Sequence, residues 1–209
     1  MSSLTSSMAT DLDSDQGVEV PWDSFHSENL KFISYNPSSD DHFFNSIQAY
    51  SSSIINFCAS ASRLMDLKFT SSVARHLQRN SHLFVIINEV DEDDMFTSIG
   101  TLFLESSHRD MAHHRCSKLG IGTLKEYQHY ETEAVNWVLN WAFNNAGLHR
   151  VEVSVPFWNT RAYKVYEEIG FHTEGARVDC YFKDGEWWDE TNMAILEKDW
   201  KLRQVEMMK

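Results

Sequence analysis

Large apolar residues recur along this chain with two periods, and the change from one to the other marks out its elements. Leu30-Lys31-Phe32-Ile33-Ser34-Tyr35 reads as a first strand, closed by Asn36-Pro37. Helical stretches follow near Asp41 to Ala59 and Ser62 to Gln78, with Ser39, Asp40 and Ser62 as suitable N-cap residues. Leu83 to Glu89 is a run of large and β-branched residues, hence a strand. The acidic turn Asp91-Glu92-Asp93-Asp94 separates it from a partner strand, Phe96 to Leu104. A further strand is expected near Ser117 to Gly122, after a polar, His-rich loop from Ser106 to Cys116. From about Thr132 to Ala146, Ala134, Trp137, Val138, Trp141 and Ala142 fall on one helical face, and Gly147 is placed to end that helix. Val151, Val153 and Val155 alternate with polar residues as the next strand. Asn159 caps a helix ending at Gly170. Two closing strands flank Lys183-Asp184-Gly185, and a short helix finishes the chain. The order is β, α, α, several strands, α, β, α, β, β: an α/β (α+β) chain.

The 209 residues suit one domain plus a tail. Met1 to about Ser27 is rich in Ser and Asp and poor in large apolar residues. Residues 1–27 are therefore expected to be a disordered tail and 28–209 the folded domain. Hydrophobic residues at 42% and aromatics at 13% supply a substantial core. No run approaches the roughly 20 apolar residues of a membrane span, and the N-terminus lacks the basic-then-apolar order of a signal peptide. The expectation is a soluble cytoplasmic protein. A net charge of −13 argues against a nucleic-acid partner and would steer cationic substrates inward. Cys58, Cys116 and Cys180 are too few and too scattered for a disulfide framework or a zinc cage. His108, His113, His114 and Cys116 have a spacing that matches no zinc pattern, so no metal is expected.

The most specific signal is Trp158-Asn159-Thr160-Arg161-Ala162-Tyr163-Lys164-Val165-Tyr166-Glu167-Glu168-Ile169-Gly170-Phe171. With Glu174-Gly175, the run Lys183 to Asp189 and Glu197-Lys198-Asp199-Trp200, it resembles the GNAT superfamily, in particular the branch of ribosomal-protein N-acetyltransferases. The resemblance is close over roughly the C-terminal 40% of the chain and loose before it. It implies a GNAT fold, a central mixed, mostly antiparallel sheet splayed in its middle and flanked by helices. It also implies acetyl-CoA as co-substrate and an amine as acceptor.

By that resemblance the strand holding Leu119, Ile121 and Gly122 offers backbone groups to the pantetheine arm. The loop and helix start at Gln128, His129, Tyr130, Glu131 and Thr132 wrap the pyrophosphate, since helix N-termini attract anions. The family pattern Q/R-x-x-G-x-G/A is altered here. Either His129 and Glu131 occupy the two glycine positions, or Gln128 is the family glutamine and the loop is two residues short. Glu131 stands in a glycine position both ways. A carboxylate facing a pyrophosphate costs roughly 1 kcal/mol in water at 4 Å, unless it turns away.

Tyr166 matches the family tyrosine beside the departing sulfur, where a phenol can serve as proton donor; the alternative is a core tyrosine packed with Ala162 and Ile169. Asn159 is a helix N-cap that the family also uses near the cofactor. Seven residues separate Asn159 from Tyr166, about 10 Å along one helix face. Glu105, His108 and Glu174 are open candidates for the general base. Gly120-Ile121-Gly122 lacks the third glycine of a dinucleotide fingerprint, and neither a G-x-S-x-G elbow nor a P-loop is present. The chain thus reads as an N-acetyltransferase acting on a small amine or a protein N-terminus. The rival readings are a GNAT scaffold kept as a binding module, or one reused for other chemistry. Oligomeric state is not legible.

Overall fold

The computed structural model describes residues 25–50, 67–91 and 95–207. Residues 1–24, most of the expected tail, lie outside these, as do Ser62 and Cys58. Seven strands form one sheet: β1 (Leu30–Ser34), β2 (Ser81–Val90), β3 (Phe96–Ser106), β4 (Cys116–Thr123), β5 (Arg150–Pro156), β6 (His172–Lys183) and β7 (Glu186–Leu196). Their order is β1-β2-β3-β4-β5-β7-β6, and every pairing is antiparallel except β4 with β5. A parallel pair needs a crossover, and α3 (Glu131–Asn144) supplies it. The other helices are α1 (Pro37–Tyr50), α2 (Leu67–Asn80), α4 (Thr160–Ile169) and α5 (Glu197–Met207).

The alternation in the strands divides the core into two layers. On one face, α1 and α2 cover Tyr35, Phe84, Ile86 and Phe103 with Phe44, Ala74 and Leu77. On the other, α3, α4 and Trp200 of α5 cover Val85, Ile87, Leu102, Leu104, Leu119, Ile121, Val151, Val153 and Val155. α3 buries more than the one expected stripe: Val135, Leu139 and Phe143 join Ala134, Trp137, Val138 and Ala142, while Trp141 stays half-buried. Its indole Trp137 stacks on Phe32 of β1 at 3.6 Å.

Two expected boundaries shift for local reasons. Asn36 does not simply close β1. Its side chain accepts from the Ser38 N–H at 3.0 Å, and Pro37 takes the first helical position, so α1 begins earlier than Ser39 or Asp40 would allow. α3 starts at Glu131, one residue early, because the preceding loop is itself a 3-10 turn, Lys125–Tyr130, that runs straight into it. Phe25 to Ser27, placed in the tail by composition, make contacts. Ser27 Oγ donates to Glu133 at 2.6 Å, and Asn29 adds its backbone and side-chain N–H groups to the same carboxylate. Gly170 ends α4 as expected, with a φ of 109° that other residues rarely adopt.

Gly120 is fixed by a close approach. A Cβ there would lie 2.0 Å from the ring of Phe103, which is fully buried across the β3–β4 pair. Gly120→Ala is expected to destabilise the fold by about 1–3 kcal/mol. That corresponds to a Tm lower by about 2–4 °C for each kcal/mol. Shrinking the ring in a Gly120→Ala/Phe103→Leu double variant should make the two changes cost less than their sum, as thermal melts of all four proteins would show.

Candidate active site

The parallel pairing of β4 with β5 spans only Cys116–Lys118 against Arg150–Glu152. Beyond it the strands diverge, and Leu119 to Thr123 have β3 on one edge and no strand on the other. Backbone parity says which groups face the gap. The Leu124 N–H donates to Ile99 O on the β3 side, whereas Arg115 O accepts from His149 N on the β5 side. Alternate residues point alike, so the backbone groups of Leu119 and Ile121 face the gap and those of Gly120 and Gly122 face β3. The gap is a slot of about 30 Å³ lined by Leu119, Gly120, Ile121, Ser154, Val155, Pro156, Asn159, Ala162 and Tyr166. Such a volume holds a water or two. The splayed centre expected from the resemblance is therefore present.

The slot gathers Leu119, Ile121, Asn159 and Tyr166 from the sequence candidates. α4 carries the last two because its Ala162–Tyr166–Ile169 face is apolar and packs on the sheet. Asn159 sits at the N-cap, its side chain accepting from the Ala162 N–H at 3.2 Å. Tyr166 is buried, with its ring edge-on to Phe171 at 5.2 Å. Burial first, then the charge of Glu131, pushes its phenol well above the ordinary tyrosine value, while Arg161 pulls the other way. It is consequently neutral, a hydrogen-bond donor at any physiological pH.

The altered loop takes a form that the sequence left open. Glu131 turns inward and is almost fully buried. Its carboxylate accepts from Thr123 Oγ1 at 2.7 Å and from Arg161 at 2.6 Å. Arg161 also donates to Gln128 O. Of the directions that the sequence left open, Glu131 takes an inward one in which its carboxylate is paired with the Arg161 guanidinium and is not bare. Backbone donors are spent too. The Tyr127 N–H goes to Leu124 O and the Glu131 N–H to Gln128 O, as 3-10 geometry requires. His129 is exposed, its ring tilted against that of Tyr130 at 4.1 Å, and the Tyr130 hydroxyl donates to Glu89 at 2.8 Å. Thr132 O accepts from Asn136 one turn along α3.

Arg161 and Thr123 went unnoticed in the sequence. Arg161 lies at a variable position of the Asn159-to-Ala162 motif, and only the neighbouring Glu131 in place of glycine hinted at a need for a counter-charge. Of the base candidates, Glu174 is bound by Arg150, whose guanidinium holds its carboxyl below the usual range. Glu105 lines a separate hollow with Lys118 and Glu152. His108 caps a short 3-10 turn. Among the described residues no cluster of three His, Cys, Asp or Glu could hold a metal ion, and no helix is long and apolar enough to cross a membrane.

The family model described as "Acetyltransferase (GNAT) domain" matches residues 39–172. The chain belongs to the GNAT acetyltransferase family. Among curated relatives, the uncharacterized N-acetyltransferase YnaD of Bacillus subtilis is 38% identical over 71 residues, 34% of this chain and 42% of that protein. The spermidine N(1)-acetyltransferase of Vibrio cholerae is 31% identical over 86 residues, 40% of this chain and 50% of that protein. These matches span half or less of the curated relatives' length. Among solved structures, a mutant form of the Vibrio cholerae spermidine/spermine N-acetyltransferase superposes with a TM-score of 0.68 at 21% identity, covering 85% of this chain and 99% of that one. A GNAT acetyltransferase of Bacillus anthracis gives 0.64 at 20% identity, covering 83% and 98%. At such identities the likeness is one of fold.

The Glu131 network should be measurable as stability. Glu131→Ala removes a charge-assisted hydrogen bond and strands the buried Thr123 hydroxyl, at an expected cost of about 2–3 kcal/mol. Thr123→Val leaves the buried Glu131 Oε1 without that donor and should itself cost about 1–3 kcal/mol. Adding it to Glu131→Ala removes a hydroxyl that already lacks its partner and should cost about 1 kcal/mol or less. Urea unfolding of the two single variants and the double variant tests this, and fully additive losses would contradict the geometry.

Proposed function

We propose that this chain is an acetyl-CoA-dependent N-acetyltransferase that moves an acetyl group to a primary amine. The observation that carries the reading is the slot where β4 and β5 part, with the backbone of Leu119 and Ile121 on one side and Tyr166 on the other. Backbone N–H and C=O groups along an unpaired strand edge suit an extended, amide-bearing arm, which adds to the sheet as a strand would. Acetyl-CoA supplies a thioester whose carbonyl a neutral amine can attack. An N–H on the β4 edge polarises that carbonyl, and holding both reactants in one cleft removes much of the entropic barrier.

Tyr166 acts at the departing sulfur. Its raised pKa means that a thiolate with an ordinary value near 8.5 does not strip its proton outright. The phenol instead stabilises the leaving group by donating a hydrogen bond. As the C–N bond forms and the C–S bond breaks, the nitrogen releases a proton to solvent and the sulfur acquires one, so amine and thioester give amide and thiol. Asn159 fixes the start of α4, which sets where Tyr166 stands.

The acceptor is proposed as a small amine or a protein N-terminus. The net charge of −13 favours a cationic one, and the relatives named as spermidine acetyltransferases act on such an amine by their names. A second reading, a GNAT scaffold serving only to bind, draws on one observation: the loop before α3 spends its Tyr127 and Glu131 amides internally.

Calorimetric titration with acetyl-CoA separates the two readings. Micromolar affinity followed by acetylation of primary amines supports the transferase, and no binding at millimolar ligand sinks it. Tyr166→Phe removes a hydrogen-bond donor to the developing thiolate and is expected to lower kcat by about 100-fold or more while changing acetyl-CoA affinity less than about threefold. Because the phenol is shifted upward, the pH–rate profile should show no loss from tyrosine ionisation up to about pH 10. An unchanged kcat in the variant would remove Tyr166 from the chemistry.

A further inference from the structure

A GNAT phosphate loop works through glycine: with no side chain in the way, backbone N–H groups approach the diphosphate closely. In this chain that device is compromised twice. The Tyr127 and Glu131 amides are consumed by Leu124 O and Gln128 O, and the glycine position is filled by Glu131. The same rearrangement brings in a cation. Arg161, from the first turn of α4, reaches across to the first turn of α3 and touches both Glu131 and Gln128 O.

Resting on the transferase reading, we propose that Arg161 is the diphosphate-binding group of this chain, and that Glu131 is the residue that positions it. Three observations support this. The Arg161 side chain is 41% exposed, so its guanidinium is not sealed into the Glu131 contact. A guanidinium carries five N–H donors, and the two contacts on Glu131 and Gln128 leave others available in a planar fork suited to phosphate oxygens. Arg161 also stands at the end of the open β4 edge. It lies between Asn159 and Ala162, which line the slot, is joined through Glu131 to Thr123 at the end of β4, and its tip rests on Gln128 O in the loop that precedes α3. The buried partner explains the glutamate itself. Held at 2.6 Å, with Thr123 fixing its other oxygen at 2.7 Å, Glu131 restricts a long side chain that would otherwise lose entropy on binding.

The proposal differs from simple charge cancellation, in which Arg161 matters only because it neutralises Glu131. Four proteins distinguish them: the unaltered chain, Arg161→Gln, Glu131→Gln, and the double variant. Each is titrated with acetyl-CoA and, in parallel, with S-acetylpantetheine, which carries the same thioester arm without phosphates. Arg161→Gln is expected to weaken acetyl-CoA binding tenfold or more and S-acetylpantetheine binding less than twofold. Arg161→Lys, a point charge without the fork, should recover part of the loss. The double variant should remain as weak as Arg161→Gln. Restored affinity in the double variant would reduce Arg161 to a counter-ion and overturn the proposal. Equal loss toward both ligands would overturn it too, by showing damage to the slot rather than loss of a phosphate contact. If the unaltered chain binds acetyl-CoA and Arg161→Gln binds it equally well, the inference fails and the transferase reading stands. No binding by the unaltered chain overturns both.

Discussion

Everything at the centre of this molecule follows from one parallel pairing that stops after three residues. Arg150–Glu152 meet Cys116–Lys118, and then β4 and β5 separate. Beyond that pairing, Leu119 and Ile121 of β4 are left with backbone groups along an edge that no strand completes. Unpaired backbone in a protein interior is costly, so a sheet normally closes such a seam. Here it persists because each strand is held from its other side: β4 by β3 from Gly100 to Ser106, and β5 by β7 along Arg150 to Pro156. α3 and α4 then pack over the opening, one from each strand, and deliver Asn159 and Tyr166 to it.

The second dependency is electrostatic. A buried carboxylate at the start of α3 would be a liability without a partner, and a helix N-terminus relieves only part of that cost. Arg161 and Thr123 complete the relief, joining the end of β4, the start of α3 and the start of α4 in one cluster. Two of the elements that line the slot, β4 and α4, are thereby tied to the start of α3. Burial does most to raise the Tyr166 phenol; of the cluster, Glu131 raises it further and Arg161 lowers it.

The fold was legible because it is written in short-range patterns. Alternating Val151, Val153 and Val155, the helical stripe from Ala134 to Ala142, and Gly170 after Ile169 each specify an element without reference to anything distant. The candidate slot was legible for a different reason: the Asn159-to-Phe171 motif is nearly intact, so its resemblance carried Asn159 and Tyr166 to one helix face. What the sequence could not supply were contacts between residues far apart in the chain. Arg161 finds Glu131 thirty residues away, and Ser27 finds Glu133 across more than a hundred. Neither distance leaves a periodic trace. The direction taken by the Glu131 side chain, inward rather than toward solvent, depended on a partner from another helix. The early start of α1 was local but ambiguous, since Asn36-Pro37 ends a strand and begins a helix with equal propriety.

The contacts of Glu133 bear on how the molecule can be observed. Glu133 lies on the same first turn of α3 as Glu131 and gathers Ser27 and Asn29 from the segment leading into β1. One helical turn further along, Trp137 lies flat on Phe32, with Phe25 at its border at 6.0 Å. The start of α3 therefore carries the Glu131 cluster and, little more than a turn on, an indole stacked on Phe32 and bordered by Phe25. Indole emission depends on the rings and charges around it, so any movement of that turn is written into the light the protein gives off. The molecule carries its own gauge of what happens at the start of α3.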